Sequence, residues 1–391
     1  MKSIFLSMLA IAVLASCSKE SGEDLSPPGP QGKQVTVKLT IGGTQLQTRA
    51  GGAATNDNDK AVTNLSVFGV DAATGAVVSK EYFGTVTTET GDAKSVKFTT
   101  STLTTAIYVV ANTSADLTTG SGALNVNTLN ALKNATAALI SGTPPMPTQT
   151  EGNVLMSGEV AGLDFTGAAP HTAAVSLNYI GAKIILRSVT RGATSQGTYN
   201  THFNLQNIIL NNVNTAAYFF KGDQVGGRDS YISAITTGRV RPAVIKSMAT
   251  GMTGGATEVA DYIMAWSPVA FAPNAVENNI GYWYVFENDD ATSPTTLLIK
   301  YGWKENSSDP AFTDMYFPVR FVAGDGAVIE PGKAYAVDLT LNGDFRSKDA
   351  GGGSGGGGTT DPDTPVVNVD VTVTVTPVAW DTSTNIDKPF N

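Results

Sequence analysis

The clearest pattern in the chain is a strict alternation of valine with polar residues near its C-terminal end. Valine occupies every second position, at Val367, Val369, Val371, Val373 and Val375. A period of two carried by β-branched residues is typical of a strand with one buried face. A flat strand of this kind is prone to aggregate when it is unpaired, so we expect it to dock against a sheet.

This strand is attached to the rest of the chain by a predicted linker. Residues 348–365 contain the run GGGSGGGG, and the strand segment itself covers residues 366–391, with Pro377 and Trp380 beyond the valines. A glycine-rich linker of this length reaches roughly 20–25 Å, far enough to fold the strand back over its own domain. It reaches a neighbouring molecule equally well, by strand addition. The periodicity does not separate these two alternatives.

The same period of two recurs along the chain and predicts an all-β protein. The first such segment places Val35, Val37, Leu39 and Ile41 on one face. Many further short apolar segments follow, separated by clusters of Gly, Asn, Asp and Pro that are typical of turns. Many short strands with little helix indicate β-sandwiches.

One segment departs from this pattern. Residues 128–140 have apolar side chains at helical spacing, with Thr128 as the expected N-cap, and predict a single helix. The loop-rich stretch 161–174 lies near the middle of the folded part, and we predict the domain boundary there. This gives an N-terminal sandwich over residues 50–170 and a C-terminal sandwich over residues 171–347.

The N-terminus has the organisation of an export signal. Lys2 precedes an apolar run over residues 4–13, which is too short to span a bilayer as a helix. Small residues then precede Cys17, the sole cysteine, in a sequence that resembles the lipobox of bacterial lipoproteins. We therefore predict that residues 1–16 are a signal peptide and that Cys17 is lipidated, with palmitate as the expected acyl group. The alternative is an ordinary secretory signal beside a chance cysteine.

Arg49 gives a second indication of processing. It precedes Ala50 in a stretch of small residues, which is a preferred kind of proteolytic site. A trypsin-like protease cutting here would remove a propeptide, residues 17–49, that includes the strand at 35–41. If that strand lies in a sandwich, its removal leaves an apolar groove. The chain would then have an empty groove and an unpaired strand of matching pattern. The alternative is that Arg49 is an ordinary loop arginine.

Composition and motifs argue against several other classes. The net charge of -9 argues against nucleic-acid binding, and two histidines with one cysteine argue against a His/Cys metal cluster. No catalytic order, phosphate loop or zinc spacing stands out, so we predict no enzymatic activity, cofactor or metal. Residues 56–59 lack the Gly and Glu of an EF-hand loop and are predicted to be a solvated loop. The aromatic residues at 282–286 are predicted to be core rather than a sugar-stacking platform.

Several short motifs occur in order along nearly the whole chain. They are the lipobox with Ser18-Lys19-Glu20, then Arg49-Ala50, Tyr108-Val109-Val110-Ala111-Asn112, Leu155-Met156-Ser157-Gly158, Ala182-Lys183-Ile184, Tyr284-Val285-Phe286-Glu287-Asn288, Lys333-Ala334-Tyr335-Ala336-Val337-Asp338-Leu339 and the final valine strand. Together they resemble the fimbrillin family of type V pilins, which form surface fimbriae of Bacteroidales-type Gram-negative bacteria.

The resemblance implies two tandem transthyretin-like β-sandwiches and a C-terminal donor strand. It also implies an outer-membrane lipoprotein precursor, made by lipoprotein signal peptidase and the acylation machinery, from which an Arg-specific protease removes the propeptide. The donor strand of one subunit then fills the groove of the next. The implied function is a structural subunit of a cell-surface fimbrium that supports adhesion, with other copies and related fimbrial subunits as partners.

The sequence departs from the family pattern at two places. Residues 178–181 lack an expected arginine, and Val378-Ala379 separates Pro377 from Trp380, which affects the register of the last anchor. Two other functions remain open at this point. One is a monomeric surface lipoprotein that binds glycans, and the other is a tip adhesin of the same fimbrial family.

Overall fold

The computed structural model describes residues 32–41, 57–88, 94–124, 126–142, 146–191, 203–211, 213–220, 263–265, 276–288, 294–304, 308–322, 328–341 and 371–379. Within these ranges the chain forms twenty strands and one α-helix, which confirms the all-β prediction. In chain order the strands are β1 (Lys33–Ile41), β2 (Leu65–Asp71), β3 (Ala76–Phe83), β4 (Thr87–Thr88), β5 (Lys94–Thr100), β6 (Ala106–Ala111), β7 (Thr136–Ala138), β8 (Ile140–Ser141), β9 (Met146–Pro147), β10 (Met156–Ala161), β11 (His171–Tyr179), β12 (Ala182–Arg191), β13 (Phe203–Asn211), β14 (Ala216–Tyr218), β15 (Ile263–Ala265), β16 (Val276–Val285), β17 (Thr296–Trp303), β18 (Thr313–Arg320), β19 (Lys333–Leu341) and β20 (Val371–Ala379). The helix is α1 (Leu129–Lys133), and 3₁₀ turns cover Asp57–Lys60 and Gly120–Gly122.

The N-terminal domain is built on an eight-stranded sheet, named sheet I here. Its spatial order is β3-β2-β6-β10-β11-β1-β5-β4. The alternating sequence of β11 gives an alternating burial pattern, because successive side chains point to opposite faces of a strand. The inner strands β2 and β6 are buried at every position. β6 is apolar throughout, whereas β2 also buries Ser66 and Asp71.

The C-terminal domain contains two four-stranded sheets. Sheet II has the order β16-β12-β19-β20, and sheet III has the order β15-β13-β17-β18. In both domains the first strand pairs in parallel with the last strand of the domain core. β1 is parallel to β11 in the first domain, and β12 is parallel to β19 in the second. The two domains therefore share one arrangement of their first and last strands.

The two domains are joined by more than the covalent connection. β14, from the second half of the chain, pairs antiparallel with β7 of the first half. The Phe219 amide donates to the Ala135 carbonyl over 3.1 Å, and the Phe220 and Tyr108 rings meet edge to face at 5.2 Å. One hydrophobic core runs through buried residues of both halves.

The structure differs from one local prediction, the extent of the helix. The helix is shorter than the predicted 128–140: α1 has five residues, and the chain then turns into β7. Thr128 does cap the helix, since its hydroxyl accepts from the Ala131 amide over 3.2 Å. The change from sheet I to sheet II lies at residues 180–181, because β11 pairs with β1 and β10 of sheet I.

Candidate functional site: the β1 slot

β1 lies in the interior of sheet I and is paired along both edges. On one side it runs parallel to β11 from Val35 to Ile41, and on the other it runs antiparallel to β5 from Lys33 to Leu39. Its apolar residues Val35 and Val37 have no exposed area, and Leu39 is also buried. Burying each such side chain stabilises the fold by about 1.5–3 kcal/mol.

We call the space between β11 and β5 that β1 fills the β1 slot. Most residues that pair with the buried face of β1 are themselves buried and apolar: Val96 and Phe98 on β5, and Ala173, Val175 and Leu177 on β11. The exceptions are the buried His171 and the half-buried Lys94, which pairs with Leu39. Without β1 these side chains would face water, and two strands would have unpaired edges. Such a slot suits one extended segment with apolar residues at every second position.

β5 is also held from the side away from β1. The Thr99 amide donates to the Glu81 carboxylate of β3 over 3.1 Å. Hydroxyl groups of Ser79 and Thr100 are hydrogen bonded, and Thr100 is bonded in turn to Thr104 at 2.6 Å. These contacts do not involve β1, so they can keep β5 in place when β1 is absent.

β20, unlike β1, is paired along one edge. It pairs antiparallel with β19 in the register Leu341↔Val371 to Lys333↔Ala379, at the margin of sheet II. β19 is its only neighbour among the strands that the structure describes. The strand that carries Val371, Val373 and Val375 is therefore docked on its own chain, by backbone pairing along one edge.

A buried polar cluster ties the start of the N-terminal domain to the C-terminal one. Asp59 forms an ion pair of 2.7 Å with Lys183 on β12, and its carboxylate accepts from the Tyr284 hydroxyl over 2.5 Å. Lys183 lies over the Tyr282 ring at 4.1 Å, and the Tyr282 hydroxyl donates to Glu151 over 3.2 Å. Burial raises the pKa of Tyr284, so this hydroxyl stays a donor at neutral pH.

This cluster corrects a sequence prediction. Residues 56–59 were expected to form a solvated loop, but Asp59 is buried in the 3₁₀ turn Asp57–Lys60. Its acidic side chain has a cationic partner and a hydroxyl donor, which offset the cost of taking a carboxylate out of water. A DND run gives no sign of such a partner, because Lys183 is 124 residues away in sequence.

The predicted site residues fall into two groups. Val371, Val373 and Val375 lie in β20. The lipidation residue Cys17, the processing residues Arg49 and Ala50, and the donor-segment residues Val367, Val369 and Trp380 lie outside the described residues. Along the chain, Arg49 falls between β1 and the 3₁₀ turn that holds Asp59.

The structure also bears on an aromatic binding site, a metal site and a membrane-spanning helix. The aromatic residues at 282–286 are buried, as predicted for core. The described part of the chain contains no group of three His, Cys, Asp or Glu side chains that could hold a metal ion. No helix in the described ranges has the length and apolar character needed to cross a membrane.

The fold is shared with surface proteins of Bacteroidales. A protein of Bacteroides eggerthii, proposed to act in cell adhesion, is 28% identical over 90% of this chain and 97% of its own, with a TM-score of 0.64. A fimbrilin of Porphyromonas gingivalis is 16% identical over 88% of this chain and 97% of its own, with a TM-score of 0.53. No curated protein sequence matches the chain. The class defined by these comparisons is thus an all-β fold shared with these two proteins.

Family models make the assignment specific. Residues 34–217 match the major fimbrial subunit protein (FimA), and residues 189–380 match the C-terminal domain of FimA-like major fimbrial subunit proteins. Together the two matches extend over most of the chain and over both domains. The chain therefore belongs to the FimA-like major fimbrial subunit family, which confirms the resemblance seen in the sequence. Membership implies a structural role in a cell-surface fimbrium, assembled with other fimbrial subunits.

Proposed function

We propose that this chain is a fimbrial subunit that polymerises by donor strand exchange after its lipidated propeptide is removed. The observation that carries the proposal is the position of β1. It is enclosed on both edges in sheet I, yet it precedes Arg49 in the sequence, so a cut after Arg49 separates it from the rest of the subunit.

The proposed sequence of events begins with export and lipidation. Signal peptidase removes residues 1–16, and acylated Cys17 holds the precursor at the outer membrane. An Arg-specific protease then cuts between Arg49 and Ala50. β1 is no longer covalently attached and leaves the β1 slot, which the C-terminal strand of a second copy fills.

Burial of the valine face offsets part of the cost of ordering the incoming strand. Five valines at alternate positions would bury a gross apolar term of roughly 7–15 kcal/mol. Net backbone hydrogen bonds add about 0.5–1.5 kcal/mol each. Ordering the strand costs about 1–2 kcal/mol per residue, which removes much of this gain. Long-lived fibres would therefore depend on close fit and slow dissociation as well as on buried area.

The contacts of Asp59 support the proposal that β1 can leave while the rest of the domain stays folded. It fixes the chain just after the predicted cut, through the ion pair of Asp59 with Lys183. The new N-terminal segment is then anchored to the second domain, so β2 and the strands beyond it stay in place when β1 departs.

A second function is favoured by one observation, the pairing of β20 with β19 in the same chain. In a monomeric surface lipoprotein that binds glycans, the last strand would stay paired within its own chain and Cys17 would stay attached. In the polymerisation scheme the same pairing is the state before assembly. A tip adhesin of the same family is less favoured, because this chain has a donor segment of its own.

The deciding experiment is N-terminal sequencing of surface-sheared material, with a parallel gel run without boiling. We expect mature protein that begins at Ala50 and forms a ladder of oligomers. Arg49→Ala should retain the lipidated precursor and abolish the ladder, whereas Arg346→Ala should behave as wild type. Sheared fibres whose subunits still begin at Cys17 would contradict the proposal.

Lipidation is tested separately. Cys17→Ala should abolish acylation and reduce surface fimbriae strongly, because acylation of Cys17 is the proposed membrane attachment. Ser18→Ala is the matched control and should leave fibre yield unchanged. Normal fibre yield from Cys17→Ala would remove lipidation from the scheme without affecting strand exchange.

A further inference from the structure

One cationic side chain, Lys97, lies on the solvent-facing side of the β1 slot. Thr36 of β1 lies directly opposite the exposed Lys97 of β5, and Lys38 lies one pair further along the same face. No carboxylate in the part of the chain that the structure describes forms an ion pair with Lys97. In the precursor, Lys97 therefore faces a neutral residue and has a like charge on the diagonal, which is unfavourable across strands.

The geometry of this pair can be read from a hydrogen bond beside it. The Thr99 amide donates to Glu81, on the side of β5 away from β1. Amide and carbonyl of one residue point to the same side of an antiparallel strand, so Thr99 and Gln34 form a non-hydrogen-bonded pair. Thr36 and Lys97, two residues along, are then a pair of the same kind. Side chains approach most closely at such pairs.

The valine run of the C-terminal segment has the same length as β1. Both residues 367–375 and β1 contain nine residues, with the inward-facing positions at alternate places. Aligned end to end, this run places Val369, Val371 and Val373 where Val35, Val37 and Leu39 are buried. Pro377, which cannot donate a backbone hydrogen bond, then falls beyond the end of the strand.

Two-residue shifts of this alignment are less favourable. A shift in one direction puts Pro377 at the position of Ile41, and a further shift puts it at Leu39, inside the paired region. The opposite shift leaves Val375 outside the slot. Single-residue shifts are excluded, because they would turn every valine to the solvent face.

The charge of Asp370 also distinguishes these alternative registers. In the end-to-end alignment Asp370 takes the place of Thr36 and lies opposite Lys97. In the shift that moves Pro377 to Ile41, Asp370 would instead lie opposite Thr99, whose amide already binds the Glu81 carboxylate. The first arrangement pairs opposite charges across strands, and the second brings two carboxylates closer together.

Strand direction follows from the topology. β11 runs toward the domain junction at 180–181, and β1 is parallel to it, so the Lys33 end of the slot lies away from the junction. β12 leaves the junction and β19 is parallel to it, so Leu341 also lies away from the junction, in the other domain. In end-to-end contact between two copies, a strand that follows Leu341 reaches the Lys33 end first. It then runs in the direction of β1.

From these observations we propose that Lys97 sets the register of the incoming strand. The C-terminal segment of a second copy lies in the β1 slot parallel to β11, with Val369 in the place of Val35 and Asp370 paired with Lys97. The inference rests on the proposed strand exchange and specifies its partner contact. Replacement of β1 thus exchanges a like-charged neighbour of Lys97 for an opposite charge.

The test uses cysteine cross-linking. The only native cysteine, Cys17, leaves with the propeptide, so the mature chain has no background thiol. Two double variants of the full-length precursor keep both Lys97 and Asp370 and combine Ser95→Cys, which lies opposite Lys38 of β1, with Thr372→Cys or Thr374→Cys. Each precursor is cut with an Arg-specific protease, allowed to assemble, oxidised and run on a boiled gel with and without reductant. Closely opposed non-hydrogen-bonded positions are within the range of a disulfide.

The proposed register predicts a reducible covalent ladder from the Thr372→Cys pair and little from the Thr374→Cys pair. A ladder from the Thr374→Cys pair in its place would overturn the register. Unboiled ladders with no cross-linking in any pair would overturn both register and direction, while strand exchange would stand. Absence of ladders in every chain, wild type included, would instead show that the proposed function itself is wrong.

Charge reversal gives an independent measurement. Asp370→Lys should reduce the yield of unboiled ladders roughly twofold to fivefold, and adding Lys97→Asp should restore it. Asp361→Lys, in the linker, is the matched control and should have no effect. Failure of Lys97→Asp to rescue Asp370→Lys would contradict the pairing.

Discussion

The two terminal strands of this chain have the same alternating pattern but occupy different positions. β1 is paired along both edges inside sheet I, whereas β20 is paired with β19 alone at the margin of sheet II. Separating β1 breaks two ladders and exposes a buried face, and separating β20 breaks one ladder. A strand bound along one edge can therefore be exchanged more easily than a strand enclosed by two. The difference suits β20 as the segment that moves and the β1 slot as the place that receives it.

The largest effect is expected from removing one of these strands altogether. Deleting residues 366–391 should leave a folded precursor, because β20 lies at the margin of sheet II and, among the described strands, pairs with β19 alone. The processed product should accept a strand but not donate one, so it should terminate chains when mixed with wild type. Unboiled gels report both results. Deleting 351–354, within the glycine run, is the control and should leave the ladders intact.

A single charge in the donor segment should have nearly the same effect on assembly. Val373→Asp places a carboxylate on the face that must enter the apolar slot, where it has no partner. Thr372→Asp, its neighbour on the opposite face, should polymerise almost normally. Both should give soluble monomers, and their ladders are compared on unboiled gels. Equal loss from the two variants would contradict docking through one face.

The corresponding change in β1 should act on the stability of the precursor. Val37 has no exposed area and is paired on both edges. Val37→Asp should lower the free energy of unfolding of the precursor by about 3–5 kcal/mol, the cost of an uncompensated buried charge. Lys38→Asp, exposed on the same strand, should change it by less than about 0.5 kcal/mol. Denaturant unfolding measures both. Similar values for the two would mean that β1 is not enclosed as described.

Removing the ion pair between Asp59 and Lys183 should have a smaller effect on the free energy of unfolding. Lys183→Met leaves the Asp59 carboxylate without its cation, although the Tyr284 hydroxyl still donates to it. We expect a loss of about 3 kcal/mol in the free energy of unfolding. Lys300→Met is the control, because its partner Asp314 is 41% exposed and such a pair contributes less than about 1 kcal/mol. Thermal or denaturant unfolding of both precursors tests the difference.

The smallest effect concerns pH and the strand that holds β20. Hydrogen bonds from Arg187 hold the pKa of Asp338, on β19, below its ordinary value. The folded chain therefore binds this proton more weakly than the unfolded chain. The stability that the ionised Asp338 carboxylate provides is present above about pH 4 and is lost as the pH falls through the lowered pKa. Arg187→Met should reduce this acid loss by under about 1 kcal/mol, since the Arg187 side chain is 42% exposed. Unfolding free energies at pH 6 and pH 3 give the comparison.

The helix at residue 128 shows how far local sequence reasoning extends. Thr128 was predicted as the cap and does cap α1, because capping depends on residues within one turn. The end of the helix was wrong, since residues 136–138 form β7 and pair with β14. Their partner strand begins at Ala216, so the competing interaction is invisible in the local pattern.

The buried position of Asp59 was missed for a similar reason. An acidic residue in a DND run is exposed by default, and only its proximity to Lys183 and Tyr284 reverses this. Those two residues face each other across β12 and β16, which come together only when sheet II forms. The loop-rich stretch 161–174 likewise gives no sign that β11, which follows it, pairs with β1 and β10 of sheet I.

The sequence by itself determined the all-β class, the strand at 35–41 and the alternating segment near the C-terminus. It also carried the motifs of the family to which the chain belongs. These properties depend on short-range periodicity, since the direction of side chains along a strand repeats every two residues. The tertiary structure alone decided that β1 is enclosed on two edges and that β20 pairs on one edge with its own chain. Pairing depends on which distant strand offers a free edge, and a strand's own sequence does not contain that information.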